Sequence, residues 1–281
     1  MKNQLSHSKA VSLGLQHVLA MYAGAMLVPI IVGGALGLSP TQLAYLIAID
    51  LSTCGLATLL QMWRNKYFGI GLPVVLGTSF VSVTPMITLG KEYGITSIYG
   101  AIIVTGLVIV LFAKYFSHII KLFPPVVTGT VVMIIGLSLI PTGVKNMAGG
   151  ASSPHFGSAQ NLILSIATLG IILIIQYFGK GFWRSIAVLV GIFVGTVISS
   201  FMNPLNFTTV KEASWAHSPT PFFFGIPQFD IVPIVTMLIV GIVIMIESTG
   251  AFLALGDITN KKLTPQDFEK GYRAEGLAFM L

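Results

Sequence analysis

Apolar residues occupy this chain in long runs divided by short polar breaks, at about 12–37, 41–63, 70–89, 96–113, 122–142, 160–178, 183–202 and 230–256. A helix needs about 20 residues to cross the hydrocarbon core of a bilayer. The runs therefore predict eight transmembrane segments in an all-α polytopic membrane protein. The first opens too late after Met1, and continues too far through Gly24 and Pro29, to be a cleaved signal sequence, although Lys2 and Lys9 imitate a charged leader. The longest polar stretches, 143–159 and 203–229, contain no flexible linker between globular parts, so one membrane unit is expected over 1–281. Thr264-Pro265-Gln266-Asp267 joins a cap residue, a proline at the first helical position and an acid in the first turn, which predicts a short surface helix. The last five residues, Leu277-Ala278-Phe279-Met280-Leu281, are apolar but too few to span anything, and predict a portion of a longer protein.

Composition agrees with the pattern. Of the 281 residues 54% are hydrophobic and 9% charged, against roughly a quarter charged in an average soluble domain. A mean hydropathy of +0.90 would also suit one large buried core, so the length of the runs decides. Lys and Arg collect in short cytoplasmic loops. With a cytoplasmic N-terminus, alternation puts Lys2, Lys9, Arg64, Lys66, Lys114, Lys121, Lys180, Arg184, Lys261, Lys262, Lys270 and Arg273 inside, and Lys91, Lys145 and Lys211 outside. One helix missed or invented would invert every later loop. The net charge of +6 thus reports the topology of a multi-pass protein of the plasma membrane. Nucleic acid is excluded as a partner, because no basic face interleaved with aromatics is present.

Several chemistries drop out. Cys54 is the only cysteine and lies in the second run, which excludes disulfides within the chain and cysteine-based metal sites. His7, His118, His155 and His217 have no metal-ligand spacing. There is no Walker-type phosphate loop and no Gly-x-Ser-x-Gly elbow. No metal, cofactor or catalytic residue is expected. Asn206 begins an Asn-Phe-Thr sequon in an external loop and is assigned no role.

The third run differs from the others. In Gly69-Ile70-Gly71-Leu72-Pro73-Val74-Val75-Leu76-Gly77-Thr78-Ser79-Phe80 the glycines and Pro73 oppose a continuous helix, whereas Pro73 to Leu76 accept an extended conformation. Thr78 and Ser79 are placed to cap a half-helix running to Leu89. A broken segment of this kind presents unpaired backbone amides near mid-membrane, which is tolerated where it lines a cavity. A bent but continuous helix packed through small residues fits the same pattern.

An acid at mid-bilayer costs at least about 3 kcal/mol unless it faces a cavity or a partner. Glu247 stands deep in the eighth run, in Ile244-Met245-Ile246-Glu247-Ser248-Thr249-Gly250, and a functional role there outweighs a buried structural hydrogen bond. Asp50, midway along the second run, is equally open to local satisfaction by Ser52, Thr53 and the backbone. His17 follows Gln16 about one turn into the first run, where an imidazole can titrate, pivot a hydrogen bond or make a helix-to-helix contact.

Taken together, Gln16-His17, the unusual third run and the Glu247 helix resemble the nucleobase-cation symporter family, also called nucleobase-ascorbate transporters. The resemblance covers essentially the whole chain. It is carried by Leu15-Gln16-His17-Val18-Leu19-Ala20-Met21-Tyr22-Ala23-Gly24, Pro73-Val74-Val75-Leu76-Gly77-Thr78-Ser79-Phe80, Phe123-Pro124-Pro125-Val126-Val127-Thr128-Gly129 and the segment around Glu247. It is strongest to the bacterial xanthine and urate permeases. The uracil branch usually has a histidine four residues after the glutamate, where this chain has Ala251, which argues against uracil as substrate.

What the resemblance implies is specific. The fold is fourteen spans in two inverted repeats of seven, with a broken third span; 12–202 would be the first repeat and 230–281 the start of the second. The function is proton-coupled uptake of a purine nucleobase by alternating access: xanthine first, with urate or guanine as other candidates. Glu247 would accept hydrogen bonds from base N–H groups, the Phe80 backbone would contact the base, Ser79 would line the site and Gly24 would leave room for the ring. Gln16, His17 and Asp50 would support the site or the coupling. A homodimer in the bilayer is expected, with no cofactor beyond the proton. The family's signature in the tenth span is not among these residues. The alternatives are a uracil permease of the same family and an anion transporter of the same fold, though no Lys or Arg is placed at mid-membrane for an anion.

Overall fold

The computed structural model describes residues 7–119, 125–150, 155–202 and 218–281. Lys2, Lys121, the Phe123-Pro124 pair, Asn206, Lys211 and His217 lie outside them. Among the described residues the fold is helical, with no strand. The helices are α1 (His7–Ala35), α2 (Pro40–Met62), α3 (Val83–Tyr93), α4 (Ile95–Ile119), α5 (Pro125–Met147), α6 (Ala159–Phe178), α7 (Phe182–Ser185), α8 (Ala187–Met202), α9 (Ile231–Ile258) and α10 (Pro265–Met280). A single 3₁₀ turn, Phe80–Ser82, leads into α3.

Among the described residues five helices are long and apolar enough to cross a membrane: α2, α6, α9, Leu13–Ala35 of α1 and Ile95–His118 of α4. The eight runs do not all become long helices. Residues 63–79 belong to no helix, so the third run divides between that stretch, the 3₁₀ turn and α3. The seventh run becomes the one-turn α7 and the 16-residue α8, and the fifth begins outside the described residues. Large apolar side chains such as Leu111, Leu173, Phe193 and Ile239 stay exposed along these helices, which suits hydrocarbon and not water.

The chain divides into two compact units, residues 1–24 with 138–219, and 25–137 with 220–281. In the first, Ile172 and Thr168 of α6 seat over Gly191 and Gly195 of α8, the small-residue packing that lets membrane helices approach closely. Ser158 caps α6 by accepting from the Asn161 amide.

The second unit holds two apolar clusters. One joins Leu89, Ile98, Ala101, Met237 and Val240 from α3, α4 and α9. The other joins Ile70, Leu72 and Val74 to Ile109, Met245, Phe252, Phe268 and Tyr272. Ile70, Leu72, Val74 and Leu76 enter that second cluster at every other position, the period of extended chain rather than helix.

The expected short surface helix is corrected by the structure. Thr264 and Asp267 do form a capping box with Pro265 in the first turn. The helix they start, α10, nevertheless runs 16 residues and buries Phe268, Gly271, Tyr272, Ala274, Glu275 and Gly276. It crosses α4 at glycines: a Cβ on Gly106 would stand 2.5 Å from the Gly276 carbonyl oxygen, and one on Gly276 2.7 Å from that of Gly106. Only a hydrogen at both positions permits that contact.

Candidate functional site

A chain that leaves helical conformation among apolar neighbours must still find partners for its amides. Between Gly69 and Ser79 the last turns of α2 provide three of them, while the Gly69 amide donates to the Lys270 carbonyl and that of Val74 to Leu72. Gln61, fully buried, accepts at Oε1 from the Ile70 amide (3.1 Å) and donates from Nε2 to the Gly271 carbonyl (3.2 Å), and its own backbone oxygen accepts from the Gly71 amide (3.0 Å). The Leu76 amide donates to Oγ1 of Thr58 (3.0 Å). Gly69 has φ +83 and packs against the terminal carbonyls of α2, where a Cβ would lie 2.6 Å from the Leu60 oxygen.

Asp50 is the next anchor up the same helix. The hydroxyls of Ser52 and Thr53 donate to backbone carbonyls, of Ala48 and of Asp50 itself, so of the two readings left open for Asp50, satisfaction by these hydroxyls is not the one the structure takes. The Asp50 carboxylate accepts instead from the Thr78 hydroxyl, with the Cys54 thiol 4.0 Å away.

The stretch ends at Ser79, whose hydroxyl donates to Oε2 of Glu247 at 2.8 Å. Two residues singled out in the sequence, 168 positions apart, thus meet. The same hydroxyl accepts from the Val81 amide at 3.3 Å and so caps the 3₁₀ turn. As the first residue of that turn, Phe80 has no partner for its N–H within it. Ser79, Phe80 and Glu247 are all half-buried. A half-buried carboxylate beside the open end of a helical turn is suited to a flat molecule with both N–H donors and C=O acceptors on its edge.

A second acid lies close by. Glu275 of α10 is buried, with Ser248, Tyr272 and the Glu247 carboxylate among its polar neighbours. Helix α9 is fixed beside α10 by the hydroxyls of Thr249 and Tyr272, which bond each other.

At the far end of the stretch the connection from α9 to α10 is clamped. Lys261 donates from Nζ to the Ile70 carbonyl (2.9 Å), and Arg64 pairs with Asp267 (2.7 Å). Burial lowers the pKa of Lys261, and Arg64 lowers it further against the opposing charge of Asp267. For Asp267 burial acts upward, but hydrogen bonds from the Thr264 backbone and hydroxyl, and then the charges of Arg64 and Lys261, outweigh it and leave the carboxyl below its ordinary value.

The arrangement has known relatives. The sequence profile of a permease family, that of xanthine and uric acid permeases, matches residues 8–281. The chain belongs to the nucleobase-ascorbate transporter family. It is 58% identical to the uric acid permease PucK of Bacillus subtilis (strain 168) over 281 residues, all of this chain and 65% of the relative. It is 53% identical to the xanthine permease of the same organism over 273 residues, 97% of the chain and 62% of the relative. Identity to the uric acid transporter UacT of Escherichia coli (strain K12) is 45% over 280 residues, 99% of the chain and 58% of the relative. The chain therefore spans less than two thirds of the length of these relatives. Members of this family are permeases and not enzymes, and the apolar helices fit a multi-pass membrane protein.

Of the family residues foreseen, Ser79, Phe80, Glu247 and Asp50 lie in the second unit, joined through Thr78 and Ser79 as described. Gln16, His17 and Gly24 lie on α1 in the first unit; Gly24 has nothing within 4 Å of a Cβ added there. Glu275, Thr58 and Gln61 were not foreseen. Glu275 sits among Asp267, Glu269, Lys270 and Arg273, a density of charge that reads as a solvated face. The signal that reveals it is spatial: Gly271 and Gly276 are among the residues it is buried with on α10.

Proposed function

We propose that the protein carries an oxidised purine base, xanthine or urate, across the plasma membrane by alternating access, with protons as the coupling ion. The Ser79–Glu247 hydrogen bond at the head of the 3₁₀ turn carries this proposal, because it presents a carboxylate beside backbone amides on one half-buried surface. Glu247 accepts from base N–H groups and the Phe80 amide donates to a base oxygen or ring nitrogen. Glu247 or Glu275 exchanges the proton, as intramembrane acids do in other transporters. Family resemblance gives Gln16, His17 and Gly24 supporting roles in base binding, and Asp50 acts through Thr78. The relatives named above as uric acid and xanthine permeases favour these two bases over uracil, and guanine remains in the tested set.

The whole transporter is proposed to have fourteen spans in two inverted repeats, a cytoplasmic N-terminus and a homodimeric state. The experiment is direct binding to the purified full-length protein of xanthine, urate, guanine, uracil and inorganic anions. Saturable binding of xanthine or urate with none of sulfate or bicarbonate is expected. Binding of anions alone would overturn the proposal in favour of an anion carrier.

A further inference from the structure

We propose that Thr58 and Gln61 are positioning residues for base binding: they fix the register of the stretch from Gly69 to Ser79 that sets Ser79 and the Phe80 amide opposite Glu247. The proposal rests on the transport role given above.

The apolar pattern of the stretch does not define its register. Ile70, Leu72, Val74 and Leu76 alternate into one cluster, and a slip of two residues would return aliphatic side chains to the same face. Each residue of slip moves extended chain by about 3.3 Å. Either slip would carry the Ser79 hydroxyl beyond reach of the Glu247 oxygen that it now meets at 2.8 Å. In a sheet, a neighbouring strand would select the register through its amides. Among the described residues there is no such strand, and α2 takes its place.

Thr58 and Gln61 stand three residues apart, on one face of that helix. Oγ1 of Thr58 accepts from the Leu76 amide at 3.0 Å, and Oε1 of Gln61 accepts from the Ile70 amide at 3.1 Å. Gln61 also ties the stretch to α10, through the Gly271 carbonyl. A slip would leave these amides and the fully buried Gln61 unpaired among apolar groups, where each lost bond is costly. Thr58 and Gln61, with Asp50 holding Thr78 further along, thereby choose among registers that the aliphatic residues cannot distinguish.

The test uses the purified full-length permease, with xanthine as the titrated base. Thr58→Val keeps the shape of the side chain and removes the acceptor, Gln61→Met removes both side-chain bonds, and Thr58→Ser restores an acceptor. Xanthine affinity should fall about tenfold or more in Thr58→Val and Gln61→Met, the size expected for one misplaced hydrogen bond to a charged group. KM for uptake should rise in parallel, and amide exchange over 72–78 should accelerate. Thr58→Ser should stay close to wild type. Because part of the effect passes through Ser79, adding Thr58→Val to Ser79→Ala should weaken binding by less than the two single effects together.

Folded Thr58→Val protein with a lower Tm but wild-type xanthine affinity would overturn the proposal, since a purely structural bond would behave that way. Gln61→Met decides by the same criterion if Thr58→Val cannot be recovered folded. A wild-type protein that binds no purine base would overturn the transport role and this proposal with it. Wild-type binding with unaltered variants would overturn the positioning role alone.

Discussion

At the scale of single residues, the site depends on hydroxyl groups as much as on acids. Ser79 donates to Glu247 and caps the 3₁₀ turn with one oxygen, so it couples the aim of the carboxylate to that of the Phe80 amide. Replacing it by Ala leaves Oε2 of Glu247 without this donor. Ser79→Ala should weaken purine binding by about tenfold, since hydrogen bonds to charged groups contribute about 1.5–3 kcal/mol. Titration of the base into purified full-length protein checks this, and an unchanged Kd would show that Ser79 does not orient the carboxylate. Glu247 was legible in the sequence because an acid so deep in an apolar run needs a reason. The partner of Asp50 was not. Ser52 and Thr53 are its neighbours in sequence, but on a helix their hydroxyls bond carbonyls one turn back, which leaves the carboxylate to Thr78, 28 residues away.

At the scale of elements, α2 ends at Met62, and Gly69, Gly71, Pro73 and Gly77 all fall within the non-helical residues 63–79 that follow it. Helix α10 was legible in part. Its cap was legible because Thr264, Pro265 and Asp267 act within one turn. Its burial was not, because that depends on the Gly106–Gly276 crossing with α4. Gly276→Leu should be incompatible with that crossing, and overpacking of this kind costs about 1–3 kcal/mol or more. Purified variant protein should show a clearly lower Tm, and an unchanged Tm would mean that α4 and α10 do not approach so closely.

The first turn of α10 has a pH signature. The Asp267 carboxyl lies below its ordinary value in the fold. Its stabilisation is therefore complete above the unfolded pKa near 4 and is lost as pH falls through the lower folded value. Wild type should have a higher Tm than Asp267→Asn at pH 7, and the gap should close as pH falls from about 5 toward 3. A gap independent of pH would assign the effect to the cap alone.

At the scale of the whole molecule, membrane residence and family were legible because they depend on totals: the length of apolar runs, the scarcity of charge, and segments spread over the chain. The number of long helices was less so. Apolar runs at 70–89 and 183–202 look alike in hydropathy to those that form long helices, and differ through Gly and Pro in the former and the break at Ile186 in the latter. The proposed proton coupling sets Glu247 the most demanding task. Gln keeps its shape, adds an N–H donor facing the N–H edge of the base, and has no proton to release.

The most direct measurement is paired binding and proton-driven uptake of xanthine and urate by Glu247→Gln in the full-length protein. Correctly inserted protein, base binding weakened by at least about tenfold, and no concentrative uptake are expected. Near-normal proton-driven uptake by the variant would contradict the account.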